Sequence, residues 1–157
     1  MKLNYKDTLQ YKEDKKLFKL LLGSSITFFM IFFLLFLGLF FFLKRESLEI
    51  ASIVCLTGIF LYLLFDLPFI IKTVMVKHNM NSILKNMDDI YIFQIMFKDY
   101  ANHCFFQSKF TLSFKYGNET KELTTSWIYD SNNLVNSLVE VGYIESLNKI
   151  IVIKNTN

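Results

Sequence analysis

Two long apolar runs fill the first half of the chain, and alternating or mixed patterns fill the second. From Leu20 to Leu43 and from Leu48 to Ile71, 37 of 48 residues are apolar, against 39 of the 85 from Thr73 onward. The first run has 24 residues and no ionisable side chain. At about 1.5 Å per residue it extends about 36 Å, more than the roughly 30 Å hydrocarbon core of a bilayer. A signal peptide would have an apolar region of about 7 to 15 residues and a small-residue cleavage site; this run is longer and ends in Lys44-Arg45-Glu46. The second run is interrupted by Glu49 and by Asp66-Leu67-Pro68. It spans if Asp66 lies near the far headgroups, Phe69 to Ile71 complete the crossing and Lys72 snorkels outward. The short turn 44–47 makes the two helices antiparallel neighbours.

Beyond Lys72 the periodicity changes. Val76, Met80, Ile83, Leu84 and Met87 have helical spacing, which predicts an amphipathic helix to Asp88 and Asp89. Ile90 to Phe97, apolar on both faces, reads as a buried strand. Phe106, Ser108, Phe110, Leu112, Phe114 and Tyr116 alternate with polar residues, Gly117-Asn118 supplies a turn, and Leu123 to Tyr129 alternate again. That is a hairpin with one core face and one wet face. After a turn at Asp130 to Asn133, Val139, Val141 and Tyr143 begin another strand, and Lys149 to Lys154 closes a second hairpin. The fold expected is therefore an α+β membrane protein: a basic arm (1–19), transmembrane helices over 20–43 and 48–71 joined by a short turn (44–47), a juxtamembrane amphipathic helix (72–89), and a small mainly antiparallel β domain (90–157). About five short strands can bury one face and hide their edges by closing into a barrel or a strongly bent sheet.

Charge sets the orientation. Lys6, Lys12, Lys15, Lys16 and Lys19 precede the first helix and Lys72, Lys77 and Lys85 follow the second, against Lys44 and Arg45 in the turn. By the positive-inside rule both termini are cytoplasmic, in a multi-pass protein of the cell membrane. The arm carries the whole formal charge of +3, which suits attachment to anionic headgroups.

If the hairpin is centred near Arg45, residue n of the first helix faces about 91 minus n of the second. Ala51, Cys55, Gly58 and Tyr62 then form a helix-packing stripe that meets the first helix near Gly38. The same stripe ends in Asp66, opposite Ser24, Ser25 and Thr27. Hydroxyls there can donate to the carboxylate, which would otherwise face lipid.

Little else carries chemistry. Cys55 lies in a span, His78 follows it, and the adjacent His103-Cys104 lack the ligand count and spacing of a zinc site. Cys104 with a distant His78 lacks a third group for nucleophilic catalysis. The five glycines form no phosphate loop, and Asn118-Glu119-Thr120 matches a glycosylation acceptor only as a turn on the cytoplasmic side. From Lys72 onward nine Lys balance eight acids, so the aromatic strands are core and no nucleic-acid surface is expected. No catalytic, cofactor-binding or metal-binding residue is assigned. Scarce cysteines suit a reducing compartment.

Val139-Glu-Val-Gly-Tyr143, followed by Asn148 and Ile151-Val-Ile153 after a Phe-rich strand and a turn, resembles the end of the small SH3/OB-like barrel of uncharacterised bacterial membrane proteins that carry such a domain beside two or three transmembrane helices. The resemblance covers about 45 residues, from the hairpin at 110 to the last strand, and implies no catalytic residues. The function expected is that of a non-enzymatic membrane protein whose hairpin anchors the β domain for protein–protein interaction or self-assembly. The alternatives are an immunity or accessory protein for a membrane-acting toxin or transporter, and an ion or proton pathway component using Asp66. The partners expected are the lipid bilayer and a protein partner or a second copy of the chain.

Overall fold

The structure is a computed structural model and describes residues 3–45, 47–98, 102–104, 107–129 and 131–156. Glu46, Phe106 and Asp130, which the sequence pattern assigns to the helix turn, the alternating strand and the later turn, lie outside the described residues. The chain forms two compact units, residues 16–78 and the flanks on either side of them.

Residues 16–78 hold most of α1 (Leu9–Leu43) and α2 (Leu48–Lys85). Hydroxyl side chains inside these helices turn back on their own backbone: Thr27 donates to the Gly23 carbonyl, Thr57 to that of Ile53 and Thr73 to that of Phe69, at 2.7–2.9 Å. Each polar group is thus satisfied locally, as an apolar surrounding requires. Pro68 sits inside α2 and has no N–H for the Leu64 carbonyl. Within residues 48–78 of α2 the buried positions are Ala51, Gly58, Asp66 and Thr73, one stripe at steps of seven or eight. The amphipathic segment after Lys72 continues the second helix and does not restart it: α2 runs through to Lys85, and a 3₁₀ turn over Met87–Asp89 follows.

The flanking residues make the other unit, whose described residues form eight strands: β1 (Ile90–Met96), β2 (Asn102–Cys104), β3 (Gln107–Lys109), β4 (Thr111–Tyr116), β5 (Glu119–Thr124), β6 (Ile128–Tyr129), β7 (Leu138–Ile144) and β8 (Lys149–Asn155). All pairing is antiparallel, in three sheets ordered β1-β7-β8, β2-β3-β6 and β4-β5. Of the two forms expected, a barrel or a strongly bent sheet, the closed barrel is not formed: among the described residues no ladder joins the three sheets. The core explains how an open arrangement still buries its apolar faces. One face of β1-β7-β8 (Phe93, Val139, Val141, Tyr143, Val152) packs on Phe110, Leu112 and Phe114. The opposite face, through Ile90, Ile144 and Ile151, packs on Tyr5, Met80, Ile83 and Met87. Gly142 makes that second face possible, because a Cβ there would lie 2.3 Å from Ile90 Cδ1.

The single long strand expected over 106–116 is divided. β3 pairs with β6 so that Ser108 faces Ile128, whereas β4 pairs with β5 so that Thr111 faces Thr124. Between them, Thr125 N–H donates to the Phe110 carbonyl at 2.9 Å and Phe110 N–H to Thr125 Oγ1 at 3.0 Å. One residue, Lys109, is therefore matched by two, Ser126 and Trp127. This is a bulge, which bends the hairpin. Ser108, Phe110, Leu112 and Phe114 are all buried, so the inward face holds across the bend.

β1 corrects a second expectation. It lies at the edge of its sheet, and Ile92 and Met96 are 44% and 52% exposed. The covering residues 5, 80, 83 and 87 reach only the Ile90 end of that face.

Residues 1–19 also depart from the simple arm. Tyr5–Asp7 form a 3₁₀ turn whose start is capped by Asn4, with Lys6 N–H donating to its side chain at 3.1 Å. Thr8 then precedes α1, its hydroxyl accepting from Tyr11 N–H at 3.2 Å and donating to the Tyr5 carbonyl at 2.7 Å. This delivers Tyr5 into the core.

Candidate functional site

The strongest polar feature within the helical pair is built on Asp66, which is 1% exposed. Ser25 Oγ on α1 and Tyr62 OH, one turn earlier on α2, both donate to Asp66 Oδ2 at 2.7 Å. Asp66 Oδ1 is buried and has no hydrogen-bond partner. Of the three hydroxyl residues placed opposite Asp66 by the pairing rule, Ser25 reaches it, Thr27 binds its own helix instead, and Ser24 is half-buried. Tyr62, assigned above to the packing stripe, is thus part of the polar cluster.

The rest of the stripe packs differently from small residue against small residue. Gly38 has open space around it. Gly58 instead receives the Phe36 ring, whose edge would lie 2.2 Å from a Cβ at that position. Ala51 is buried and Cys55 is half-buried. Phe29, Phe32, Phe36 and Phe40 of α1 line a cavity of about 260 Å³ with Cys55, Gly58 and Tyr62. Phe29 and Phe32 both meet the Tyr62 ring, with centroids 5.7 and 5.9 Å away.

The other unit contains polar clusters that the sequence did not announce. Tyr5 OH donates to Asp14 Oδ2 at 2.6 Å and Gln10 Nε2 to Asp14 Oδ1 at 3.1 Å, all three residues being buried. Burial pushes the Asp14 carboxyl up from its ordinary value, against the opposing pull of Tyr5, Gln10 and the nearby Lys149. Burial, reinforced by the Asp14 charge, also pushes the Tyr5 hydroxyl far up. The only signal for this cluster was an acid four residues after a Gln on one helix.

Across the β strands, Lys121 Nζ donates to Tyr143 OH at 2.8 Å and lies 4.9 Å from the centroids of both Tyr116 and Tyr143. Tyr143 in turn donates to Asn148 Oδ1 at 3.1 Å, and Tyr116 OH to Glu145 Oε2 at 2.7 Å. The bond to Tyr143 holds the Lys121 ammonium above its usual range, so Lys121 is a poor base. An open groove of about 490 Å³ beside this network is lined by Asp88, Asp89, Tyr91, Tyr116 and Glu145. Among the described residues no group of three or more His, Cys, Asp or Glu could hold a metal ion.

The chain matches no protein-family model, no curated protein and no solved structure. The arrangement offers two helices long and apolar enough to cross a membrane, a buried carboxylate between them, and a β unit with an exposed apolar edge.

Proposed function

We propose that this chain is a non-enzymatic integral membrane protein in which α1 and α2 form a transmembrane hairpin that anchors the β unit, at the cytoplasmic face, for interaction with another protein or with a second copy. The observation that carries the reading is the exposure of the helices: in the most apolar stretch of α1 no residue is buried, and in that of α2 only 11% are. The core helix of a soluble protein would be mostly covered. Here Phe42 and Leu56 are 70% and 68% exposed, and apolar surface of this length suits the hydrocarbon of a bilayer. The interaction role rests on β1, an edge strand bearing exposed Tyr91, Ile92 and Met96 beside Leu138. Apolar edges of that kind pair with other chains.

Alkaline extraction of membranes from cells expressing the chain tests the anchor. The protein should stay in the lipid fraction after carbonate treatment, and release into the supernatant would contradict the reading.

A further inference from the structure

Charges, prolines and bulges are the devices that keep an edge strand from pairing with another chain, and β1 has none of them. From Ile90 to Met96 it carries no charged residue and no proline, and its register with β7 is unbroken. β8, the opposite edge of the same sheet, carries Lys149 and Lys154, and its register with β7 shifts between Glu140 and Val141. The side of β1 that stays open follows from Phe97, whose N–H donates to the Ser137 carbonyl at 3.2 Å and whose carbonyl accepts from Asn136 N–H at 2.6 Å. Backbone groups alternate sides along an antiparallel strand, so Ile92, Gln94 and Met96 turn theirs to the open edge. All three residues are exposed. Charge lies just outside the strand, with opposite sign at its two ends: Asp88 and Asp89 precede it and Lys98 follows it, all exposed.

We propose that β1 pairs antiparallel with β1 of a second copy, in the register centred on Phe93, so that two three-stranded sheets join into one of six. This names the partner for the edge proposed above and rests on that reading. In this register Asp88 lies opposite Lys98 of the second copy at both ends of the pair, Ile90 opposite Met96 and Ile92 opposite Gln94. A slip by one residue would turn each side chain to the wrong face. A slip by two, in either direction, sets Asp88 against Met96 or Lys98 against Ile90, and parallel pairing sets acid against acid. The charge pattern therefore selects one register, and an apolar strand with complementary ends is matched by its own two-fold copy.

Sedimentation of the full chain in detergent micelles tests the pairing. Asp88→Lys alone and Lys98→Asp alone should each weaken self-association about tenfold, because each sets like charges opposite one another at both ends. An equimolar mixture of the two variants should restore it, since both ends of the mixed pair again join opposite charges. Where Asp88→Lys fails to fold, disulfide formation decides: differently tagged copies bearing Ile92→Cys and Gln94→Cys, each with Cys55 and Cys104 changed to Ser, should link to one another on mild oxidation in preference to like with like. A monomeric chain, association indifferent to the charge variants, a mixture of folded variants that does not restore it, or no preference in the disulfides would overturn the pairing. A monomeric chain that captures a different protein through β1 would overturn the pairing and leave β1 standing as an interaction edge, whereas association unchanged by Ile92→Lys with Met96→Lys would remove both.

Discussion

Among the described residues two carboxyl groups, Asp14 and Asp66, are buried, and both are met by hydroxyl donors from tyrosine. Asp14 yields a prediction in pH. Its folded-state value is raised from 3.8 by burial, so between the unfolded and folded values the folded state holds the extra proton. Stability is therefore greatest below the unfolded value and falls as pH rises through that window. Denaturation at a series of pH values, followed by the fluorescence of Trp127, the sole tryptophan, should show this fall. Asp14→Asn should remove it, and an equal slope in both proteins would contradict the assignment. Gly58 gives a second prediction, because a side chain there meets the Phe36 ring. Gly58→Val should lower hairpin stability by about 1–3 kcal/mol, and adding Phe36→Ala should make the loss less than additive. Additive losses in detergent unfolding would show that the ring and the glycine are not coupled. That Ser25 and Asp66 face each other was readable because helical spacing and a short turn define which residues of two antiparallel helices oppose, whereas the Phe36 ring over Gly58 was not. Tyr5 was not, because it enters the core from a 3₁₀ turn ahead of the helix, where a 3.6-residue period does not count.

At the scale of elements, the alternation from Ser108 to Tyr116 marked its buried face correctly, yet it could not reveal the break at Phe110. The extra residue lies on the return strand, between Thr125 and Ile128, and leaves the period of the first strand intact. Thr125 closes the bend with its hydroxyl, a feature visible only once the strands are paired. Ile90 to Phe97 misled for a different reason. Apolar residues on both faces ordinarily mean burial on both, but here the outer face is covered at Ile90 and bare at Ile92 and Met96. The bare end yields a prediction about association. Ile92→Lys with Met96→Lys should abolish crosslinking of the β unit to its partner or to a second copy while leaving the Trp127 denaturation midpoint nearly unchanged, since neither side chain lies in the core. Retained crosslinking would remove β1 as the interaction edge.

The molecule as a whole combines an apolar hairpin with a folded β unit that has its own core, and the Lys and Arg flanking the hairpin argue for the proposed orientation. The twelve aromatics after Lys72 made that core legible in the sequence; the pairing of its strands into three sheets was not, because closure depends on edge-to-edge hydrogen bonds that side-chain pattern does not encode. Orientation is the claim on which the proposed role depends, since it decides which compartment supplies a partner. Cysteine labelling of intact cells with a membrane-impermeant maleimide tests it most directly, using Arg45→Cys in the turn and Ser146→Cys in the β unit, each with Cys55 and Cys104 changed to Ser. Arg45→Cys should label from outside and Ser146→Cys only after permeabilisation; labelling of Ser146→Cys in intact cells would contradict the account.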